Sequence, residues 1–269
     1  MFFGTLAFLI LFPTVIALIL LAVKNDAARG GIVKVSSILI ALGSVFLAVV
    51  YFMNGGGTTI AFDSEVVSYA MMIIEILLGL VIIVLGIKYR HYWASVLAAI
   101  QTPLMIWFEL TKGHSVEVSY NLYVDGLSVI MALIIGVIGS LITVYALGYM
   151  KDYQHHNADK PDRRPFFFFI MFVFLAAMFG IVTANNLVWM YFFWEITSLT
   201  SFFLIGYSKT EEAIKNSFRA LIMNLGGGLG FVLAILFLGN FCETVELSGL
   251  LSGGATGTWG YYLTIPVAL

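Results

Sequence analysis

The stretch LVWMYFFWEITSLTSFFLIGYS, from Leu187 to Ser208, determines how the rest of the sequence is interpreted. It is long enough to cross a bilayer as a helix, because about 20 apolar residues suffice. Apart from one residue, its members are apolar, aromatic, or small and hydroxylated; the exception is Glu195. A charged carboxylate at the centre of such a helix costs about 2.5–3.5 kcal/mol on insertion scales. Its presence therefore requires a structural or functional reason.

The whole chain has the composition of an integral membrane protein. Of its 269 residues 61% are hydrophobic and 10% are charged, whereas a soluble domain has roughly 25% charged residues. The apolar runs are about 20 residues long, which predicts spanning helices rather than the short alternating strands of a barrel. The predicted fold class is an all-α polytopic transmembrane bundle in the lipid bilayer, with no nucleic-acid partner.

The apolar runs predict eight complete spans and the start of a ninth. We place them at about 3–23, 32–53, 67–87, 92–110, 125–149, 166–183, 186–207 and 216–239, with the ninth beginning near Trp259. The first run has neither a basic stretch before it nor a small-residue cleavage site after it, so we expect a retained helix rather than a signal peptide.

The basic residues indicate the orientation of the spans. If the loops alternate between the two sides, one side carries all but one of the 13 Lys and Arg residues, and the other side has only Lys112. The basic set is Lys24, Arg29, Lys34, Lys88, Arg90, Lys151, Lys160, Arg163, Arg164, Lys209, Lys215 and Arg219. The positive-inside rule makes their side cytoplasmic and predicts an external N-terminus.

Three segments between or within the spans carry local predictions. The connection from Lys151 to Pro165 is polar and predicts an exposed loop, with Pro165 in the first turn of the next helix. The segment from Gly113 to Tyr123 alternates in polarity and predicts a short hairpin or an extended piece on the membrane surface. The spacing of Gly226 and Gly230 within an apolar helix predicts close approach of another helix.

Glu195 admits two interpretations from its surroundings in the sequence. At helical spacing Tyr191 and Ser198 share its face, and Thr197, Thr200 and Ser201 add hydroxyls on adjoining faces. Such a carboxyl group suits a proton relay, because burial and a movable partner charge together switch its protonation. The other interpretation is a neutral glutamate that hydrogen-bonds a neighbouring helix as part of its packing.

Three further charged residues are candidates for the same pathway. Glu75 lies within the third predicted span and is either functional or a protonated or snorkelling side chain. Lys215 and Arg219 follow Glu211 at four-residue intervals, on one face of the eighth span. They either anchor the helix at the cytoplasmic surface or reach into the bundle to tune Glu195.

Two segments resemble the antiporter-like proton-translocating subunits of complex I, energy-converting hydrogenases, formate hydrogenlyases and Mrp-type antiporters. The first is VDGLSVIMALIIGVIGSLITVYALGYM, from Val124 to Met150, and the second is FFFFIMFVFLAAMFGIVTANNLVWMYFFWEITSLTSFFLIGY, from Phe166 to Tyr207. The resemblance implies that Glu195 is the central acid of a proton half-channel.

The sequence also departs from that family's pattern. The family pairs this glutamate with a lysine on a broken helix further along the chain, and this sequence stops at Leu269 before any such lysine. We expect a divided or truncated subunit that another polypeptide completes. We divide the chain into N-terminal helices at 1–123, with an extra helix pair at 67–110, and an incomplete antiporter-like core at 124–269.

The resulting functional prediction is a proton- or Na⁺-translocating subunit of a redox-driven complex in the cytoplasmic membrane of a prokaryote. The single Cys242 leaves no C-x-x-C spacing for a metal centre, so this chain would carry no redox active site. Iron–sulfur clusters and a NiFe centre are expected in peripheral redox partner subunits, with a hydrogenase-type complex preferred over a complex I-like one. The alternatives are an Mrp-type Na⁺/H⁺ antiporter subunit and a structural membrane anchor without transport.

Overall fold

A computed structural model describes residues 1–62, 64–113, 116, 118–157, 159, 161–242 and 244–255. The described chain is helical except for two short strands and the connecting segments. The elements are α1 (Phe2–Ala22), α2 (Asp26–Met53), β1 (Thr58–Ile60), α3 (Glu65–Lys88), α4 (Tyr92–Lys112), β2 (Leu122–Val124), α5 (Gly126–Leu133), a π-helical segment (Ile134–Gly139), α6 (Ser140–His156), α7 (Arg164–Thr183), α8 (Leu187–Ile205), α9 (Glu211–Phe241) and α10 (Leu247–Ala255).

All eight complete spans predicted from the sequence are confirmed as helices long and apolar enough to cross a membrane. Two of them begin about five residues earlier than predicted, α2 at Asp26 and α9 at Glu211. Capping explains both starts, because Asn25 accepts from two backbone N–H groups and Thr210 from one. The predicted ninth span near Trp259 lies outside the described residues.

The fifth predicted span contains two features that the sequence analysis missed. Helix α6 continues to His156, so the prediction of a loop beginning at Lys151 is wrong for its first six residues. The π-helical turn at Ile134–Gly139 interrupts the same span, and hydropathy carries no signal for it. Pro165 is the second residue of α7, which confirms its predicted place in the first turn.

The segment predicted as a hairpin or extended piece ends in an extended strand. Its last two residues, Leu122 and Tyr123, belong to β2. This strand pairs with β1 and does not form a hairpin with another part of the same segment. His114, Ser115 and Glu117 of this segment lie outside the described residues.

The helices pack into two compact units, each made of two stretches of chain. Unit 1 contains Met1–Thr58 and Val124–Thr183, and unit 2 contains Thr59–Tyr123 and Ala184–Leu269. These are units of packing, and the functional division between residues 123 and 124 stays a prediction.

Unit 1 is built around α2, which packs against α1, α5, the π-helical segment and α6. Small and hydroxylated residues allow the close contacts: the hydroxyls of Ser37 and Thr143 are hydrogen-bonded at 2.6 Å, and a Cβ at Gly136 would overlap Ser44. Close packing through small side chains is what holds membrane helices together, because lipid provides no hydrophobic force between them.

One end of unit 1 carries a cluster of charges around Asp26. Asp26 pairs with Arg29 in its own helix and with Arg164 at the start of α7. Arg164 also donates to Asp162 at 2.8 Å, and this hydrogen bond holds the pKa of the Asp162 carboxyl below its usual value. The cluster links the beginnings of α2 and α7.

Unit 2 contains the helix pair α3–α4 together with α8, α9 and α10. A Cβ at Gly79 would lie 2.5 Å from the hydroxyl of Thr102, and a Cβ at Gly86 would overlap that of Ser95, so α3 and α4 are closely packed at both positions. Helix α4 also packs against α9, where Gly239 accommodates the ring of Phe108.

The prediction of close helix approach at Gly226 and Gly230 is wrong within the described part of the chain. A Cβ at either glycine would meet no atom within 4 Å. The close approach on α9 occurs instead at Gly228 and Gly239, because these two positions face α4.

Gly136→Ala should destabilise the protein, since the added methyl group forces α2 away from the π-helical segment. We expect a lower Tm in detergent and a loss of about 1–3 kcal/mol in the free energy of unfolding, as for other overpacked interiors. Gly148→Ala is the matched control, because its Cβ would meet nothing within 4 Å. Equal melting temperatures for the two variants would contradict this packing.

The orientation predicted from the basic residues is tested by cysteine labelling. Cys242→Ser removes the single cysteine, and new cysteines are then placed at Lys112 or at Asp159. A membrane-impermeant maleimide applied to intact cells should label Lys112→Cys, whereas Asp159→Cys should react only after permeabilisation. The reverse pattern would overturn an external N-terminus.

Candidate functional site

The carboxyl group of Glu195 lies in the interior of unit 2, where the side chain is 3% exposed. Its Oε1 atom accepts two hydrogen bonds, from the hydroxyl of Tyr191 at 2.7 Å and from the side-chain amide of Gln101 at 2.8 Å. Tyr191 and Gln101 are themselves buried. Two neutral donors therefore hold the acid in place.

The local sequence explains this arrangement. Asn186 caps α8 by accepting from the backbone N–H of Val188, and from that start Tyr191 and Glu195 fall on one face, a single turn apart. Gln101 comes from α4, which packs against α9. The absence of a side chain at Gly228 leaves room for its amide, since a Cβ there would lie 3.2 Å from Gln101 Oε1.

Several buried oxygen atoms of unit 2 lack a hydrogen-bond partner among the described residues. They are Glu195 Oε2, Gln101 Oε1, Glu75 Oε1 and Thr102 Oγ1. Buried polar atoms are normally paired, so four unpaired oxygens on neighbouring helices mark a site with spare capacity to accept hydrogen bonds. Glu75 is 1% exposed and interacts electrostatically with Glu195.

The hydroxyl residues that the sequence placed near Glu195 bond to their own helix. Ser198 and Thr197 both donate to the carbonyl of Trp194, at 3.0 and 2.8 Å, and Thr200 donates to that of Ile196. Of the predicted neighbours on α8, the structure therefore brings only Tyr191 into contact with the Glu195 carboxyl group.

The two predicted basic residues lie apart from this site. Lys215 and Arg219 are exposed on the first turns of α9. Their side chains are not brought to Glu195, and any role they have in ion movement stays a prediction.

Gln101 was not proposed as a site residue, although it is a direct partner of Glu195. An amide in the middle of an apolar span is the signal that could have indicated it, because such a group needs a polar partner in the bundle. Which partner it finds depends on the packing of α4 against α8 and α9, which hydropathy does not encode.

The described part of this chain offers no cluster of side chains for a metal ion. Its residues include no group of three His, Cys, Asp or Glu side chains placed to hold a metal ion.

The fold and this site define a multi-pass helical membrane protein with a hydrogen-bonded carboxyl group in its interior. Two family models match the sequence: the N-terminal part of complex I chain 5 over residues 107–159, and the transmembrane region of NADH:quinone oxidoreductases and Mrp antiporters over residues 184–267. The chain belongs to this family of antiporter-like membrane subunits.

The chain is also similar to curated bacterial proteins. It is 28% identical over 182 residues to the Na⁺/H⁺ antiporter subunit A1 of Staphylococcus haemolyticus, a match that covers 67% of this chain and 22% of the relative. It is 34% identical over 121 residues to the subunit of the same name in Staphylococcus aureus, covering 45% of this chain and 14% of the relative. Such relatives and the eight apolar helices indicate a multi-pass protein of a prokaryotic plasma membrane.

A solved structure shares the fold. It is that of the membrane-bound sulfane sulfur reductase, an archaeal respiratory membrane complex, and it matches 87% of this chain and 36% of the chain compared. The TM-score is 0.54 and the sequence identity is 15%, so this likeness concerns the fold alone.

Gly228→Leu should break the hydrogen bond between Gln101 and Glu195, because the new side chain occupies the space of the Gln101 amide. We expect the infrared band of the Glu195 carboxyl group, identified by its loss in Glu195→Gln, to shift as it does in Gln101→Leu.

Gly226→Leu is the matched control on the same helix, since a Cβ there meets nothing within 4 Å. Its carboxyl band should stay in place. A band that is unchanged in Gly228→Leu and Gln101→Leu alike would contradict the contact.

Proposed function

We propose that this chain moves protons across the membrane as part of a larger ion-translocating assembly, with Glu195 as the group that binds and releases them. The environment of the Glu195 carboxyl group supports this proposal. The group is buried, one of its oxygens accepts hydrogen bonds from two neutral donors, and the other has no partner among the described residues.

Two neutral donors suit a carboxyl group that must alternately bind and release a proton. A permanent salt bridge to Lys or Arg would favour the charged carboxylate at all times, because an opposite charge at contact distance stabilises the ionised form. Tyr191 and Gln101 orient the carboxyl group without fixing its charge. A cation brought near by another helix or subunit can then switch it between bound and released states.

The cation is expected from another part of the ion-translocating assembly. The resemblance to antiporter-like subunits implies a lysine on a broken helix as the partner of this glutamate. The chain covers about a fifth or less of the curated relatives that it matches. We propose that other membrane helices of the assembly supply this lysine, with Lys215 and Arg219 assisting at the cytoplasmic end of α9.

The energy for transport must come from outside this chain. Moving one proton against 100 mV requires about 2.3 kcal/mol. We propose that peripheral partner subunits with iron–sulfur clusters, and a NiFe centre in a hydrogenase-type complex, release this energy by electron transfer. A complex I-like assembly would serve the same purpose.

A Na⁺/H⁺ antiporter subunit is the second candidate function, favoured by the names of the staphylococcal relatives. An ion gradient rather than electron transfer would then drive the exchange. The purified complex distinguishes the two candidates, because iron–sulfur absorbance supports the redox-driven assembly and its absence from an active complex supports the antiporter.

Glu195→Gln should reduce ion movement in vesicles that contain the complete complex by about tenfold or more, because positioned proton-transfer groups contribute about 10²–10⁴-fold to such steps. Glu211→Gln is the matched control, as Glu211 is exposed in the first turn of α9. The measurement is proton uptake per electron, or per Na⁺ ion exchanged.

The outcome also tests the remaining alternative, a structural anchor. If the complex assembles with Glu195→Gln and moves ions at the unchanged rate, Glu195 has no transport role and the anchor is supported.

A further inference from the structure

The helix pair α3–α4 carries two acids that the proposed function leaves without a role. Glu75 is in the middle of α3 and is 1% exposed, and Glu109 is near the end of α4 and is partly buried. The carboxyl group of Glu75 interacts electrostatically with those of both Glu195 and Glu109. Glu75 thus interacts with both Glu195 and Glu109.

The contact between the two helices gives the order of these acids along the bundle. Gly79 of α3 touches Thr102 of α4, the residue next to the Glu195 partner Gln101. The two helices run in opposite directions, so Glu75 and Glu109 lie on the same side of this contact. At 1.5 Å per residue, Glu75 is about 6 Å from the contact along the helix axis and Glu109 is about 10 Å from it. That direction leads to the end of unit 2 at which α3 begins.

A cavity of 380 Å³ is present at this end of unit 2. Glu109 is part of its wall, together with Glu65, Ser68, Asn121 and Asn186. At about 30 Å³ per molecule, this volume accommodates on the order of ten waters, and the polar side chains provide partners for them. Glu65 and Ser68 are exposed, so the wall of the cavity reaches the surface.

The axial spacing of the acids is on the scale that water-bridged proton transfer requires. One bridging water joins two oxygens about 5.5 Å apart through two hydrogen bonds of about 2.75 Å each. The axial steps from the level of Gln101 to Glu75, and from Glu75 to Glu109, are about 7.5 and 4.5 Å, a spacing that chains of one or two waters match. Glu75 Oε1 and Glu195 Oε2 have no partner among the described residues, so each is free to accept such a water.

We propose that Glu75 and Glu109 form a proton relay between Glu195 and the cavity at the Glu65 end of unit 2. This inference rests on the proposed function of Glu195 and adds the route on one side of it. Protonated Glu195 gives its proton to the Glu75 carboxylate, Glu75 gives it to Glu109, and Glu109 exchanges it with water in the cavity. The first two steps each move one proton between two carboxyl groups, the last moves it between Glu109 and water, and no electron is transferred.

The relay explains why the two helices bring polar groups into the bundle. Glu75 interacts electrostatically with Glu109 of α4 and with Glu195 and Tyr191 of α8. Glu75 is thus the middle member of the series of carboxyl groups.

The test uses the complete complex in oriented vesicles, with the infrared band of the Glu195 carboxyl group as the readout. After a pH jump on the side that Glu65 faces, Glu75→Gln should slow the response of the Glu195 band about tenfold or more. A pH jump on the opposite side should give the response of the unmodified complex. Glu109→Gln should slow the first response in the same way.

Two further variants control for structural damage. Glu75→Asp retains the acid on a shorter side chain and should restore part of the response, which a merely structural role would not explain. Glu211→Gln, at an exposed position in the first turn of α9, should leave both responses unchanged.

The outcomes separate this inference from the proposed function. If Glu195→Gln stops transport while Glu75→Gln and Glu109→Gln respond at the unmodified rate from both sides, the relay is wrong and the role of Glu195 stands. If Glu195→Gln also leaves transport unchanged, the proposed function fails and the relay fails with it.

Discussion

The hydrogen bonds from Tyr191 and Gln101 to one oxygen of Glu195 are the contacts on which the interior of unit 2 depends. A carboxyl group in a low-dielectric interior is costly unless it is hydrogen-bonded, and lipid offers it no partner, so its partners must come from side chains, backbone groups or enclosed water. Gln101 satisfies this requirement only if α4 lies beside α8 and α9. The packing of three helices is therefore coupled to the position of a single acid.

Glycine and hydroxyl residues permit that packing. Gly79 and Gly86 bring α3 against Thr102 and Ser95 of α4, and Gly228 leaves the space that the Gln101 amide requires. In a bilayer such contacts replace the hydrophobic effect as the source of attraction between helices. The same contacts place Glu75 near Glu195, so the arrangement that stabilises the helix pair also brings a second acid into the interior.

Hydropathy was sufficient to predict the eight spans, but it did not give all of their ends or the pairing between helices. The eight spans follow from runs of apolar residues, and Asn25 and Thr210 explain where two of them begin. The π-helical turn at Ile134–Gly139 has no such signal, because it depends on how the helix meets its neighbours.

The contacts of the candidate site likewise divide into those that helical spacing predicts and those that depend on packing between helices. Helical spacing alone predicts the contact of Tyr191 with Glu195, since both lie on one helix. The same spacing placed Ser198 near the acid, but its hydroxyl bonds to the carbonyl one turn back, a local alternative that membrane helices commonly use. Gln101 comes from a helix that is distant in sequence, and only tertiary packing brings it to Glu195.

The start of α8 sets how deeply Glu195 is placed in the membrane. Asn186 caps the helix, and Asn185 donates to Glu246 at 3.0 Å, so the first turn is held in a fixed register. Glu195 is then about 12 Å from the beginning of the helix and about 15 Å from its end. A charge near the midpoint experiences roughly half of the transmembrane voltage, about 1.2 kcal/mol for each 100 mV. The electric field across the bilayer thereby acts directly on the charge state of this residue, and sliding α8 by one turn would alter that electrical distance.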